Sequence, residues 1–214
     1  MRAFDCLIVL GGARPSLEQL RDLAQAARWV IAADKGAEYL LEAQVPIDYL
    51  VGDMDSFPPE RLQDPALAHT EVKRYPTHKD DTDAMIAAEL ALALGAGSIV
   101  FAAALGTRLD HMLGNIQILY KLHRDGVRAQ IVQGRARAFV GSGCFTIEGE
   151  VGDTVSLFPL GRAHIADTSG LEYPVMDADL PADRPLGVSN VLTEPQAAVT
   201  VENGYVLAVI PGED

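Results

Sequence analysis

The first part of the chain alternates short apolar runs with segments in which apolar residues recur every three or four positions. The apolar runs predict strands buried on both faces, as in a parallel sheet. They span residues 6–10, 29–33, 46–51 and 98–105, and weaker strand signals lie at 72–75 and 129–133. The segments between them predict helices from residue 17 up to Trp29, from 36 to 43, from 82 to 94 and from 110 to 126. This alternation favours a doubly wound, mostly parallel α/β sheet.

The pattern changes after residue 133. Short strand-like runs at 136–140, 144–147, 154–157, 197–201 and 205–210 are separated by glycine, proline and aspartate turns, without a helical period. Such a pattern predicts a small all-β sandwich or barrel. We therefore expect an α/β domain at residues 1–133 and a β-sandwich domain at residues 134–214.

The composition limits the possible cellular locations and binding partners of the protein. The 214 residues are 49% hydrophobic, enough for a folded protein of one or two domains. A formal net charge of −13 argues against a nucleic-acid or anionic-membrane partner. The N-terminal apolar run is too short for a signal or membrane segment, and Cys6 and Cys144 suggest neither a disulfide framework nor a zinc site. We expect a cytoplasmic protein.

Carboxylates are concentrated around the third predicted strand and the helix that follows it. Gly52-Asp53-Met54-Asp55-Ser56 comes directly after the strand, and Lys79-Asp80-Asp81-Thr82-Asp83 begins the helix. So many acids in a short span repel one another unless they share cations, and such oxygen ligands suit Mg²⁺ together with substrate phosphates. The alternative is a solvated acidic loop followed by a helix whose first turn carries acids as caps and dipole partners.

Position favours the first interpretation, because ligands of open α/β sheets bind outside the carboxyl ends of the strands. Polar and glycine residues follow four of the predicted strands. They are Gly11-Gly12, Asp34, Asp53 with Asp55, and Gly106 with Arg108 and Asp110. We expect these groups to lie along one edge of the sheet.

Several familiar sites are missing from the sequence. It has no P-loop, no third glycine of a dinucleotide fingerprint, no histidine pair at metal-ligand spacing on one helix and no Gly-x-Ser-x-Gly elbow. The remaining carboxylates, arginine and lysine suit phosphoryl transfer, in which positioning and charge neutralisation dominate. The residues thus leave two classes open: a Mg²⁺-dependent phosphoryl or pyrophosphoryl transferase, and a metal-dependent phosphohydrolase.

A set of short motifs, in this order and spacing, resembles the thiamine pyrophosphokinase (thiamine diphosphokinase) family. The motifs are Ala33-Asp34-x-Gly36-Ala37, Gly52-Asp53-x-Asp55-Ser56, Lys79-Asp80-x-Thr82-Asp83, Gly106-x-Arg108-x-Asp110-His111, Gly152-Asp153-x-Val155-Ser156-Leu157, Thr168-Ser169-Gly170-Leu171-x-Tyr173-Pro174 and Ser189-Asn190. Each motif alone is a weak signal, but together they cover nearly the whole chain and are highly specific.

The resemblance implies a homodimer in which each chain has an α/β catalytic domain and a β-sandwich. It implies Mg²⁺-dependent transfer of the pyrophosphoryl group of ATP to the hydroxyl of thiamine, giving thiamine diphosphate and AMP. The implied roles are as follows: Asp53, Asp55 and Asp83 hold Mg²⁺; Asp34, Lys79, Asp80, Thr82, Arg108 and His111 surround ATP; Asp110 lies beside the reacting hydroxyl; and Tyr173, Ser189 and Asn190 of the partner's β domain cover the thiamine pyrimidine.

Two positions depart from the family pattern, and both bear on how the backbone approaches the phosphates. Lys35 and Thr107 stand where glycine is usual in the family. Three other functions stay open: a pyrophosphokinase for another heteroaromatic alcohol, such as a hydroxymethylpterin; a phosphohydrolase; and an ATP-binding module without chemistry. Residues 170–173 and Ser189-Asn190 favour thiamine over a pterin.

Overall fold

A computed structural model of the chain describes residues 2–53, 59–75 and 81–212. The chain divides into two compact units, Met1–Gly134 and Arg135–Asp214. None of the helices in the described ranges combines the length and the apolar character needed to cross a bilayer.

Over its described residues, the first unit is a six-stranded sheet with four α-helices, as the sequence predicts. Its strands are β1 (Phe4–Val9), β2 (Ala27–Ala33), β3 (Tyr49–Gly52), β4 (Glu71–Arg74), β5 (Ser98–Ala102) and β6 (Arg128–Gln133), and its α-helices are α1 (Leu17–Ala26), α2 (Gly36–Glu42), α3 (Asp83–Ala93) and α4 (Leu109–Arg124). Two short 3₁₀ helices, Pro59–Gln63 and Pro65–Leu67, precede β4. All strand pairs are parallel, in the order β6-β5-β1-β2-β3-β4.

Helices cover both faces of this sheet. The helices α1 and α2 contact each other, and so do α3 and α4. The chain runs outward from β1 to β3 in one direction and from β5 to β6 in the other, so right-handed crossovers place the two helix pairs on opposite faces. Leu7 and Val9 of β1 pack in a core with Leu20 and Leu40 of α1 and α2, while the alternating side chains of β1 face the other helix pair. The prediction of a doubly wound sheet is confirmed.

The junction between α1 and β2 differs from the prediction. The helix ends at Ala26 and the strand begins at Ala27, without a loop. Helical spacing in the sequence continues towards Trp29, but pairing with β1 begins at Phe4↔Ala27. Tertiary pairing thus overrides the local helical signal.

The strands β1 and β5 are neighbours whose connections leave in opposite directions, which makes their carboxyl ends the switch point of the sheet. The loops that follow them are joined by backbone hydrogen bonds, from Leu10 N–H to Ala102 O (2.9 Å) and from Gly12 N–H to Ala103 O (2.7 Å). A Cβ on Gly12 would overlap the carbonyl oxygens of Ala103 and Leu105. The two loops can approach this closely because Gly12 has no side chain.

The second unit is built from antiparallel strands. They are β7 (Ala136–Glu148), β8 (Thr154–Pro159), β9 (Ala163–Ser169), β10 (Ala178–Leu180), β11 (Asn190–Val191) and β12 (Gln196–Ile210). One edge of β12 pairs with β7 along its length, and its other edge pairs first with β9 and then with β8. The register shifts between Val201 and Val206, where the long strand passes from one pairing partner to the next. The prediction of a β-rich C-terminal region is confirmed.

Two details of this unit were predicted incorrectly. Residues 136–140 and 144–147 are parts of the single strand β7, because Gly141 and Gly143 lie inside the strand instead of ending it. The ring of Phe145 occupies the space that a side chain on Gly141 would need. The strands β9, β10 and β11 were not predicted, because two of them are very short and β9 carries polar residues between its apolar ones.

His164 on β9 is surrounded by acids from neighbouring elements. Its Nδ1 lies 3.0 Å from Asp179 Oδ1, and its Nε2 lies 3.3 Å from Asp177 Oδ1 and 3.7 Å from Glu202 Oε2. Arg162 pairs with the other oxygen of Asp179. The hydrogen bond to Asp179, reinforced by the three carboxylate charges, raises the pKa of His164 above its ordinary value. When the ring is protonated, it ties β9 to the edge strand β10.

Replacing Gly12 by alanine should destabilise the first unit, because backbone carbonyls cannot move aside cheaply. We expect Gly12→Ala to lower the free energy of unfolding by about 1–3 kcal/mol. Gly114→Ala is the matched control, since nothing lies within 4 Å of a Cβ placed there inside α4. It should raise the free energy of unfolding by about 0.5–1 kcal/mol. Denaturant unfolding measures both values, and equal effects would contradict the close approach of the two loops.

The stability contributed by His164 should depend on pH. Because the folded-state pKa is raised, the contribution is fully present below the unfolded value near 6.5 and is lost as the pH rises through the folded value. His164→Gln should therefore lower the denaturation midpoint at mildly acidic pH and have little effect at alkaline pH. The exposed His69→Gln is the control substitution. A difference between wild type and His164→Gln that stays constant across this pH range would contradict the interpretation.

Candidate active site

An open cavity of about 960 Å³ lies at the carboxyl edge of the sheet in the first unit. Loops after β1, β2, β3 and β5 and the first turns of α3 and α4 form its walls. The polar and glycine residues that line it include Gly11, Gly12, Asp34, Lys35, Asp53, Thr82, Asp83, Gly106, Arg108, Asp110, His111 and Asn115. The structure thus brings together residues that the sequence places after separate strands.

The carboxylate of Asp34 is held against the end of β3. Asp34 adopts a positive φ of 46°, and its backbone N–H donates to Val51 O at 3.0 Å. A Cβ on Gly52 would overlap Asp34 Oδ1, so the absence of a side chain at Gly52 makes room for the carboxylate. A left-handed conformation is costly for a residue other than glycine and is typical of functional sites. This arrangement places Asp34 and Asp53 on adjacent strand ends.

Asp53 and Asp83 line the same cavity although they come from different elements. Thr82 is the N-cap of α3, and its hydroxyl accepts a hydrogen bond from Met85 N–H at 3.2 Å. The cap fixes the first helical turn, in which Asp83 is the first residue. Within the described ranges, no three acidic, histidine or cysteine side chains are arranged to hold a metal ion. Asp55, the third predicted ligand, lies outside those ranges, as do Lys79 and Asp80.

Arg108 and Asp110 form a two-pronged ion pair at the start of α4. Arg108 Nη2 lies 2.6 Å from Asp110 Oδ2, and Arg108 Nε lies 3.2 Å from Asp110 Oδ1. The hydrogen bond from Arg108 lowers the pKa of Asp110 to about 2. The helix begins at Leu109, one residue before the predicted start, and Arg108 occupies the N-cap position. The carboxylate of Asp110 turns back to the guanidinium.

Asn115 was not singled out from the sequence, although it lies in the wall of the cavity. It is buried on α4, and its Nδ2 donates to the carbonyl of Ala104 at 2.7 Å. Ala103, one residue earlier, has a positive φ of 52°. The hydrogen bond therefore anchors the strained backbone after β5, which leads to Arg108. A signal was present in the sequence: Asn115 is a polar residue on the buried face of a helix, four residues before Leu119.

The three residues predicted to cover thiamine lie together in the second unit. The side chain of Asn190 is buried, and its Oδ1 accepts from Tyr173 N–H at 3.0 Å while its Nδ2 donates to Tyr173 O at 2.7 Å. Ser189 has a positive φ of 60°, and its N–H donates to the hydroxyl of Ser156 at 3.0 Å. Asn190 thus fixes the backbone of Tyr173, a residue that is 61% exposed.

Comparison with protein families gives two matches in chain order. The thiamin pyrophosphokinase catalytic domain matches residues 20–131, and the thiamin pyrophosphokinase vitamin B1 binding domain matches residues 145–206. The first match contains all the described acidic residues of the cavity, and the second contains Tyr173, Ser189 and Asn190.

Individual relatives agree with these matches. The thiamine pyrophosphokinase of Bacillus subtilis is 26% identical over 206 residues, which cover 94% of this chain and 96% of that protein. A crystal structure of thiamine pyrophosphokinase from B. subtilis superposes with a TM-score of 0.87 at 26% identity, covering 98% of this chain and 100% of the other. The thiamin pyrophosphokinase of Geobacillus thermodenitrificans gives a TM-score of 0.82 at 26% identity, with 98% of each chain covered.

A more distant structure shares the fold. The thiamin pyrophosphokinase of Candida albicans has a TM-score of 0.81 at 18% identity, covering 97% of this chain and 90% of the other. The sequence motifs, the two family matches and the bacterial relatives point to the same assignment. This chain belongs to the thiamin pyrophosphokinase family.

Proposed function

We propose that the protein transfers the pyrophosphoryl group of ATP to the primary hydroxyl of thiamine, forming thiamine diphosphate and AMP. One observation supports this proposal most directly: Asp53, Asp83 and Arg108 come from three different elements and line one cavity at the switch point of the sheet. The hydroxyl oxygen bonds to the β-phosphorus as the bond from that phosphorus to the bridging oxygen of the α-phosphate breaks. AMP leaves with that bridging oxygen, and the hydroxyl proton goes to solvent.

The charge of the cavity explains why a divalent cation is part of the proposal. Among the described residues of its walls, four aspartates outnumber one lysine and one arginine, and this excess of negative charge would repel a triphosphate. Asp53 and Asp83 offer the hard oxygen ligands that Mg²⁺ prefers, and we propose that they hold it together with Asp55. When bound, Mg²⁺ would neutralise charge on the phosphates and orient them. Asp34, Thr82 and His111, with Lys79 and Asp80, would surround the nucleotide.

Arg108 and Asp110 would act together in this reaction. The guanidinium carries parallel N–H groups that match phosphate oxygens in the same way as they match the carboxylate of Asp110. With a pKa of about 2, Asp110 is a weak base at neutral pH. We therefore assign Asp110 to orienting Arg108 and the thiamine hydroxyl, because a loose phosphoryl transition state needs little help from a base.

The second unit would supply the thiamine site. Tyr173 presents an exposed ring that Asn190 holds through its backbone, and Ser189 lies next to Asn190. We propose that these residues cover the thiamine pyrimidine and do so from the partner chain of a homodimer. The excess of carboxylates in the cavity also suits the cationic thiazolium ring. A cytoplasmic location belongs to the same proposal, because both cysteines are free thiols.

The decisive experiment incubates the purified protein with ATP, Mg²⁺ and thiamine and then separates the nucleotides and the thiamine esters. We expect AMP and thiamine diphosphate in equal amounts, and no AMP without thiamine. Phosphate release without an acceptor would indicate a hydrolase, and AMP formation with a hydroxymethylpterin but not with thiamine would indicate another acceptor. Binding of ATP without any product would indicate a module without chemistry.

Removing one carboxylate charge from the predicted metal site should abolish turnover. We expect Asp53→Asn and Asp83→Asn each to lower kcat by about 100-fold or more, since a bound metal contributes several kcal/mol to such reactions. Both side chains are half-buried at the wall of an open cavity, so thermal unfolding should change little. The exposed Asp22→Asn on α1 is the matched control. Wild-type rates of AMP formation in both site variants would contradict the metal assignment.

A further inference from the structure

Lys35 lies in the wall of the cavity, between β2 and α2. Its backbone is fixed by both neighbours. Asp34 before it has a positive φ, and Gly36 after it lies so close to Val9 that a Cβ would overlap the carbonyl oxygen of Val9. The position of Lys35 relative to the end of β1 is therefore set by the packing of the sheet.

The side chain of Lys35 lies along the loop that follows β1. Its Cβ is 3.3 Å from the place that a Cβ would occupy on Gly11, so the start of the lysine side chain packs directly beside Gly11. Its Nζ is 5.8 Å from the centre of the Tyr39 ring, and the Tyr39 hydroxyl donates to Gly12 O at 3.0 Å. Lys35, Tyr39 and the Gly11-Gly12 loop thus form one contact group at the cavity wall.

The positive charge of Lys35 is balanced differently from the charges of Arg14 and Arg108. Arg14 also lies over the Tyr39 ring but forms an ion pair with Glu42, and Arg108 across the cavity is paired with Asp110. In the part of the chain that the structure describes, Lys35 forms no ion pair. Lys35 is an exposed residue at a cavity whose other described charged groups are mostly carboxylates.

We propose that Lys35 binds the phosphate chain of the nucleotide substrate, as a further cationic contact beside Arg108. This inference rests on the proposed function, which places ATP in the cavity. A lysine ammonium is a compact charge with three donors and is a common phosphate ligand. The same charge would repel the thiazolium of thiamine, so Lys35 should contribute to ATP binding and not to thiamine binding.

The test compares Lys35→Gln, which keeps most of the stem and removes the charge, with Lys35→Arg, which keeps the charge. Titration calorimetry with ATP and Mg²⁺ gives Kd, and AMP formation gives KM for each substrate. We expect Lys35→Gln to raise Kd and KM for ATP about tenfold. The KM for thiamine should stay within about twofold, and Lys35→Arg should recover most of the ATP affinity. Lys121→Ala, which removes a surface cation paired with Asp125 on α4, should behave as wild type.

The salt dependence of ATP binding provides a second test, because a lysine with only a structural role would not affect it. Added KCl should weaken ATP binding more steeply in wild type than in Lys35→Gln, because the variant has one cationic contact fewer to screen. If Lys35→Gln binds ATP within twofold of wild type with the same salt dependence, the inference is overturned and the lysine serves only to pack on Tyr39.

These measurements distinguish a failure of the role proposed for Lys35 from a failure of the proposed reaction. If wild type makes AMP from ATP and thiamine but Lys35→Gln matches it, the inference alone fails. If wild type binds ATP and makes no AMP, the proposed reaction fails, while the calorimetric comparison still decides the role of Lys35. If wild type does not bind ATP, both proposals fail.

Discussion

The close approach of two backbones at the carboxyl ends of β1 and β5 is the constraint on which the site depends. Gly12 donates to Ala103 O and leaves no room for a side chain beneath the carbonyls of Ala103 and Leu105. This contact fixes the loop after β5, and Asn115 fixes the same loop from the other side. Arg108 and Asp110 therefore start from a backbone that is held at two points, which is what precise positioning of charged groups requires.

A second close approach brings the carboxylates together. Asp34 can lie against the end of β3 because Gly52 has no side chain, and Gly36 can lie against β1 for the same reason. Negative groups that repel one another do not converge spontaneously, so the sheet must hold them in place through backbone packing. The glycines beside the acidic residues thus help to determine the electrostatics of the cavity, because they allow the packing that fixes the distances between the carboxylates.

Sequence patterns predicted the parts of the fold that depend on local burial. Unbroken apolar runs identified the strands of the first unit, and the rule for strand ends identified the edge at which Asp34, Asp53 and Arg108 gather. Long-range pairing produced the differences. Pairing with β1 ends α1 before Trp29, and pairing with β12 carries β7 through two glycines. The pair between Arg108 and Asp110 could not be predicted either, because it depends on the extended backbone that Arg108 adopts at the N-cap of α4.

The pairing of Arg108 with Asp110 has a consequence for how an anionic substrate would enter the cavity. A guanidinium exposed to water without a partner loses side-chain freedom when phosphate binds, whereas one already held by a carboxylate has lost much of it beforehand. Under the proposed function, phosphate oxygens would replace the carboxylate oxygens on the same N–H groups of Arg108. Asp110 would then be released towards the thiamine hydroxyl, and it would stay ionised at neutral pH because even an unpaired aspartate has its ordinary pKa well below neutrality. One ion pair would thus serve both substrates in turn.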